Sequence, residues 1–215
     1  MVDVNNTKLI RGRAGFDIRN KVAGSAVYDL PSPSKVGGLS KLFGGWQVGA
    51  VVILQSGPPF SVWCTQSFQP IRDSAGNIIG NSGCDFNADG FNYDYLHAPS
   101  FSASSLSPDR AAYLTGMFKV SDFPKPGIGQ NGSLGRHVFS APGYANTDLN
   151  IIKKTKIPWF LGSEGANIEF RGEFFNLFNR VNLGVPQGNI SSSLFGRSTS
   201  SFGARNIQFG LKLVF

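Results

Sequence analysis

Charge, histidine, cysteine and long apolar runs are all scarce in this chain, and each scarcity removes a class of protein. Charged residues make up 15% of the 215, and the formal excess of +7 is scattered. Lys153, Lys154 and Lys156 form the densest basic run, with no nucleic-acid motif beside it. Scattered Lys and Arg facing solvent or a polar lumen account for such an excess, so nucleic acid is not an expected partner. No window approaches the ~18 consecutive apolar residues of a spanning helix. With 41% hydrophobic residues and a mean hydropathy of -0.06, the chain is not a helical membrane protein. His97 and His137 stand alone, without a second ligand or a nucleophile nearby, so neither a zinc site nor a catalytic triad is expected. No bond chemistry is expected either, and the chain does not read as an enzyme. Cys64 and Cys84 share one loop-like region. They leave two readings: a local disulfide made in an oxidising compartment, or two unlinked thiols. Met1 is followed by Val-Asp-Val-Asn-Asn rather than a charged and then apolar export signal. The expectation is that a signal has been removed, or that the chain is a piece of a longer one.

Glycine and phenylalanine are abundant, at 27 and 19 residues. Together with short alternating runs they point to an all-β protein. The clearest run is the last. Ile207, Phe209, Leu211, Leu213 and Phe215 alternate with Asn206, Gln208, Gly210, Lys212 and Val214. Period two places one set on an apolar face and the other on a wet one. About ten residues, tilted, also suffice to cross a bilayer as β-structure. Similar alternation predicts strands over 21–30, 45–55, 144–158 and 167–178. In the fourth of these, Ile168, Phe170, Phe174 and Phe178 oppose Asn167, Glu169, Arg171 and Glu173, which fits a lipid face and a hydrated lumen face. Glu169 and Glu173 with Arg171 between them read as a charged wall with local salt bridges rather than as an acid–base pair.

Between the second and third strands, residues 64–143 show no sustained period. About eighty irregular residues are very long for a compact soluble domain but ordinary for a barrel with long external loops and short periplasmic turns. A short helix is expected near 109–116. If the short connections are periplasmic, Tyr28, Trp46, Trp159 and Phe215 gather near one interface, where aromatic girdles belong. Within the long stretch, Asp85-x-Asn87-x-Asp89-Gly90-x-x-x-Asp94 resembles the start of a calcium loop. Asp85, Asn87, Asp89 and Asp94 would supply side-chain oxygens and Phe91 a carbonyl, but position twelve is Leu96 instead of Glu. An Asx-rich turn is the competing reading. No cofactor is required, and any calcium would be structural. Gly127-x-Gly129-x-x-Gly132 matches a dinucleotide fingerprint only formally, because no strand precedes it and no helix pattern follows. Trp63, Phe68, Phe86, Phe91, Tyr93 and Tyr95 read chiefly as loop packing, with stacking on a ligand as the alternative.

Several segments carry a family likeness. They include Phe16-Asp17-Ile18-Arg19 with Tyr28-Asp29-Leu30-Pro31, then Gly45-Trp46-Gln47-Val48, Leu54-Gln55-Ser56-Gly57-Pro58-Pro59-Phe60 and Gly143-Tyr144. The run Arg171-Gly172-Glu173-Phe174-Phe175-Asn176-Leu177-Phe178-Asn179-Arg180-Val181-Asn182 and the ending from Arg205 to Phe215 complete the set. Together they resemble the C-terminal end of TonB-dependent outer-membrane receptors, in the group with a carboxypeptidase-regulatory-like N-terminal domain. The likeness covers nearly all of this chain but only the last part of such a receptor, a plugged barrel of roughly 22 strands. It implies an antiparallel meander of about five transmembrane strands over residues 1–215, with 64–143 as one long external loop. It further implies the outer membrane of a Gram-negative cell, and active uptake of an unidentified ligand with energy delivered by TonB through an N-terminal region and plug that this segment lacks. Phe209, Leu211, Leu213 and Phe215 resemble the closing-strand signal read by the barrel-assembly machinery. The rival reading is a calcium-stabilised extracellular β-sandwich for adhesion or glycan binding. The face of Ile168, Phe170, Phe174, Ile207, Phe209, Leu211 and Leu213 discriminates the two: a closed core means a sandwich, an outward belt a barrel.

Overall fold

The computed structural model describes residues 11–32, 43–102, 106, 108–157 and 165–214. In chain order these form β1 (Lys21–Asp29), β2 (Trp46–Gln55), β3 (Pro59–Phe60), β4 (Pro70–Arg72), β5 (Ile78–Asn81) and helix α1 (Arg110–Thr115). A 3-10 turn (Val120–Asp122), β6 (Phe139–Ser140), β7 (Tyr144–Ile157), β8 (Ala166–Phe175) and β9 (Asn206–Val214) follow. Among the described residues no helix is long and apolar enough to cross a membrane. The chain divides into two compact units.

The first comprises Asn20–Gln55, Tyr144–Asn182 and Phe202–Phe215. It is a single antiparallel sheet in the order β1-β2-β7-β8-β9. Each strand is one of the alternating runs of the sequence, because a strand that shows two different faces to its surroundings needs residues of two kinds in turn. β1 and β9 have nine residues, β2 and β8 ten, and β7 fourteen. At a tilt of about 45°, roughly 9–11 residues cross the hydrocarbon layer. Sequence neighbours pair directly apart from the step from β2 to β7, so every ladder is a simple antiparallel one. Among the described strands, β1 and β9 are the edges, and the sheet is open.

The second unit comprises Met1–Arg19, Ser56–Gly143 and Leu183–Ser201. Its segments join the sheet where Gln55 pairs with both Lys21 and Tyr144 and where Phe175 pairs with Asn206, all at one end of the ladders. Most of the stretch that reads as irregular loop is therefore a folded body with its own core. Phe60, Phe118, Phe123, Phe139 and Phe195 form its aromatic centre, with ring centroids 4.8 Å apart for Phe118 and Phe139 and 5.2 Å for Phe118 and Phe123. Val62, Phe86, Leu96 and the Cys64–Cys84 disulfide, with Cα atoms 5.3 Å apart, are fully buried beside it. The helix expected near 109–116 is α1. Asp109 caps it by accepting from the Ala112 amide at 2.8 Å, and Gly116 closes it in a positive-φ conformation.

Candidate functional site

The ladder register carries the alternation of each strand across the whole sheet. One row runs Ala26, Ala50, Leu149, Phe174, Ile207; the next runs Tyr28, Val48, Ile151, Gly172, Phe209. Both rows lie on one face, which is apolar from edge to edge. The opposite face holds the row Val27, Gly49, Asn150, Glu173, Gln208 and the row Lys154, Glu169, Lys212. There Arg171 pairs with Glu169 at 2.8 Å and with Glu173 at 3.6 Å. The two glutamates thus form the charged wall expected of them. On the apolar face Phe209 lies 69% exposed and Leu211 74% exposed.

Packing on the apolar face is specific as well as hydrophobic. Phe209 pairs with Gly172, and its ring lies between Phe170, stacked at 6.0 Å, and Phe174, edge-on at 6.3 Å. Gly172 lies beneath this ring, where a Cβ would make ordinary contact with it at 3.5 Å. Lys153 is the one charged residue on this face among the described strands, and it does not point into the apolar area. Its ammonium sits 5.2 Å above the Trp46 ring and donates to the Gly44 carbonyl at the turn end. A lysine stem over apolar surface with its head beside an aromatic marks a membrane–water boundary. Tyr28 and Trp46 are at this end; Trp159 and Phe215 lie outside the described residues.

In the second unit the segment from Asp85 to Asp94 folds as a nest of Asx turns. Asp85 accepts the amides of Asp89 at 3.1 Å and Gly90 at 3.0 Å, and Asp94 accepts those of Phe86 at 2.7 Å and Asn87 at 3.3 Å. Asp89 accepts the Phe91 amide and the Asn87 side chain. Among the described residues no group of three or more His, Cys, Asp or Glu is placed to hold a metal ion. The oxygens of Asp85, Asp89 and Asp94 that resemble calcium ligands by spacing accept backbone amides of this turn, the Asx-turn chemistry of the competing reading. Burial raises the Asp94 carboxyl above its ordinary value, opposed by the two amides it accepts. Of the loop aromatics, Phe86 is fully buried and Tyr95 packs against the core, whereas Phe91 and Tyr93 are exposed. Gly132 meets the carbonyls of Tyr95 and Leu96 so closely that a Cβ would lie 2.0 Å from the first. Of the glycines in the formal dinucleotide fingerprint, Gly132 therefore serves backbone packing, and Gly129 takes a positive φ of 75°. His97 faces Ser133 at 3.4 Å. His137 borders a cleft of about 560 Å³ with Arg11, Arg13, Arg19 and Arg136.

A sheet with one hydrocarbon face, one charged face and strands of bilayer length has the construction of a transmembrane barrel wall. A family model described as an outer membrane beta barrel domain matches residues 1–208. The chain belongs to the outer membrane beta barrel domain family. No curated protein and no solved structure matches it. The family places this chain in the outer membrane, where the apolar face of a barrel wall meets lipid and the polar face the lumen.

The sequence leaves the structural role of three asparagines in this barrel domain unread. Asn176, Asn179 and Asn182 follow β8 at intervals of three. Asn176 is buried and left-handed, with φ 51°. Its amide donates to the carbonyls of Arg180 at 2.9 Å and Gly203 at 3.2 Å, and its oxygen accepts from the Arg180 amide at 2.8 Å. Asn182 holds the start of β7 by exchanging two bonds with the Ala145 backbone, at 3.0 and 2.9 Å. Asn179 accepts from the Arg205 amide just before β9. One short segment thus ties three strands at the end where their ladders stop. Only the dense repetition of Asn after a strand signals it, since asparagine tolerates left-handed backbone and offers both a donor and an acceptor.

Proposed function

We propose that this barrel domain is the closing wall of a TonB-dependent outer-membrane transporter and that its second unit is the external, ligand-capturing body. The observation that carries this reading is a large second unit with an aromatic core of its own, built chiefly from the residues between β2 and β7. A barrel that only anchors has no need of such a body on its loops; a receptor does. The likeness of 171–182 and of the closing strand to such receptors supports the same reading. β1 and β9 then pair with further strands, because an unpaired edge within hydrocarbon leaves backbone groups unsatisfied at several kcal/mol each. Barrel-assembly machinery engages β9 through Phe209, Leu211, Leu213 and Phe215. TonB acts through a plug in the complete barrel, and the lumen wall of Glu169, Arg171, Glu173 and Lys212 lines the passage.

The test is ligand accumulation by outer-membrane-intact cells expressing the protein, with and without TonB and with the proton gradient collapsed. Uptake that requires both supports the reading. Uptake indifferent to TonB sinks it, as does a product that stays soluble without detergent and shows no heat-modifiable migration.

A further inference from the structure

The cleft bordered by His137 has no place in the barrel wall. Four arginines, Arg11, Arg13, Arg19 and Arg136, line it together with His137, and no aspartate or glutamate is among its described lining residues. One of the four is internally neutralised: Arg13 pairs with Asp17 at 2.8 Å and donates to Ser140 at 3.1 Å. Among the described residues, no hydrogen bond or ion pair engages the side chains of Arg11, Arg19 or Arg136. Arg11, Arg19 and Arg136 are exposed around this one concavity, and in a chain with few charges overall such a gathering of one sign attracts anions.

The frame beneath them is rigid. Gly12 lies against the carbonyl of Arg136 so closely that a Cβ would stand 2.2 Å from its oxygen. His137 is left-handed, with φ 55°, an uncommon conformation for a residue with a side chain. It is pinned by its own amide, which donates to Ser61 Oγ at 2.9 Å, and by its ring, 2.6 Å from the Arg13 carbonyl. A carbonyl only accepts, so Nδ1 carries the proton. These contacts hold two segments more than a hundred residues apart in fixed relation, and the arginines project from a set scaffold instead of a loose loop.

We propose that this cleft binds a small soluble polyanion, a molecule bearing two or more phosphate or carboxylate groups. Arg11, Arg19 and Arg136 are its direct partners, and Arg13 and His137 hold the frame. The guanidinium fork matches both oxyanions in bidentate fashion. The volume suits a ligand of ordinary metabolite size rather than a bare ion. Leu106 and Met117 in the lining give its carbon skeleton an apolar wall. The inference names a ligand class for the proposed receptor and rests on that reading only for the role in uptake.

The experiment is calorimetric titration of the full chain in neutral detergent at low salt, with pyrophosphate, citrate, glucose and dispersed phosphorylated lipid A as probes. Pyrophosphate or citrate binds and glucose does not, and affinity falls steadily as salt rises. Arg19→Gln and Arg136→Gln each weaken binding about tenfold, the loss of one charge-assisted contact, while Arg136→Lys loses less. Lys212→Gln, on the sheet, leaves binding unchanged. Retention of the Cys64–Cys84 bond and of heat-modifiable migration shows that each variant is folded. Equal binding of glucose, or wild-type affinity in the folded Arg11/Arg19/Arg136→Gln triple variant, overturns the proposal. Binding confined to lipid A overturns the soluble-ligand assignment. Absence of binding refutes the ligand class and leaves the TonB test above unaffected, whereas binding without TonB-dependent uptake refutes only the transporter reading.

Discussion

Replacing Asn176 with alanine removes three side-chain hydrogen bonds, to the Arg180 carbonyl, the Gly203 carbonyl and the Arg180 amide, at 2.9, 3.2 and 2.8 Å. Each contributes about 1 kcal/mol net, and more where the abandoned partner is left buried without water. Alanine must also hold φ near 51°, which costs a side chain without asparagine's local hydrogen bonding about 1–2 kcal/mol. The sum is roughly 4–5 kcal/mol. Asn176→Gly loses the same bonds but not the backbone penalty, so it should be less damaging than alanine by about 1 kcal/mol. Asn176→Asp keeps the acceptor for Arg180 but turns a carboxylate toward two carbonyls, and should fall with alanine. Urea unfolding of the detergent-solubilised protein, followed by tryptophan fluorescence, reads all three. A loss under about 1 kcal/mol for alanine would refute the clamp; equal losses for alanine and glycine would refute the backbone part.

Leu211→Arg places a charge in the outward band and should cost about 2–4 kcal/mol near the bilayer midplane. Gln208→Arg, on the lumen face opposite Glu173, should be tolerated; the yield of heat-modifiable protein in the outer membrane compares them, and equal yields would reverse the assignment of faces. The Cys64→Ser/Cys84→Ser variant opens a link spanning 20 residues and should lose about 3 kcal/mol, seen as earlier proteolysis of the second unit with the sheet intact. Burial raises the Asp94 carboxyl above its ordinary 3.8, so the folded state holds this proton more tightly than the unfolded chain. Stability contributed here is greatest below 3.8 and falls as pH rises through the raised folded value, then levels. Asp94→Asn should flatten that part of the urea-midpoint profile, and an unchanged slope would exclude Asp94 as its source.

The strands were legible because their signal is local. A residue of β9 faces lipid or lumen according to its parity, and the neighbours that reveal the parity are two positions away. The bounds of β1, β2, β7, β8 and β9 therefore fall within three residues of the alternating runs. The cap of α1 is local too, with Asp109 and Gly116 beside the turn they end. Asx spacing was also visible from Asp85 to Asp94, but spacing alone does not say whether carboxylates converge on an ion or accept amides. That depends on which way the folded turn presents its N–H groups.

Sequence by itself determined the class of this protein, its membrane faces and its strand lengths, because a bilayer imposes a one-residue rhythm on whatever crosses it. Tertiary structure alone decided that the long stretch folds. Phe60, Phe118, Phe123, Phe139 and Phe195 share no period, and they recognise one another only once distant segments meet. The same holds for the basic cleft, whose His137–Arg13 contact joins residues 124 positions apart. Contacts of that reach leave no local pattern, since what selects them is the shape and charge of a partner that the chain brings near only by folding.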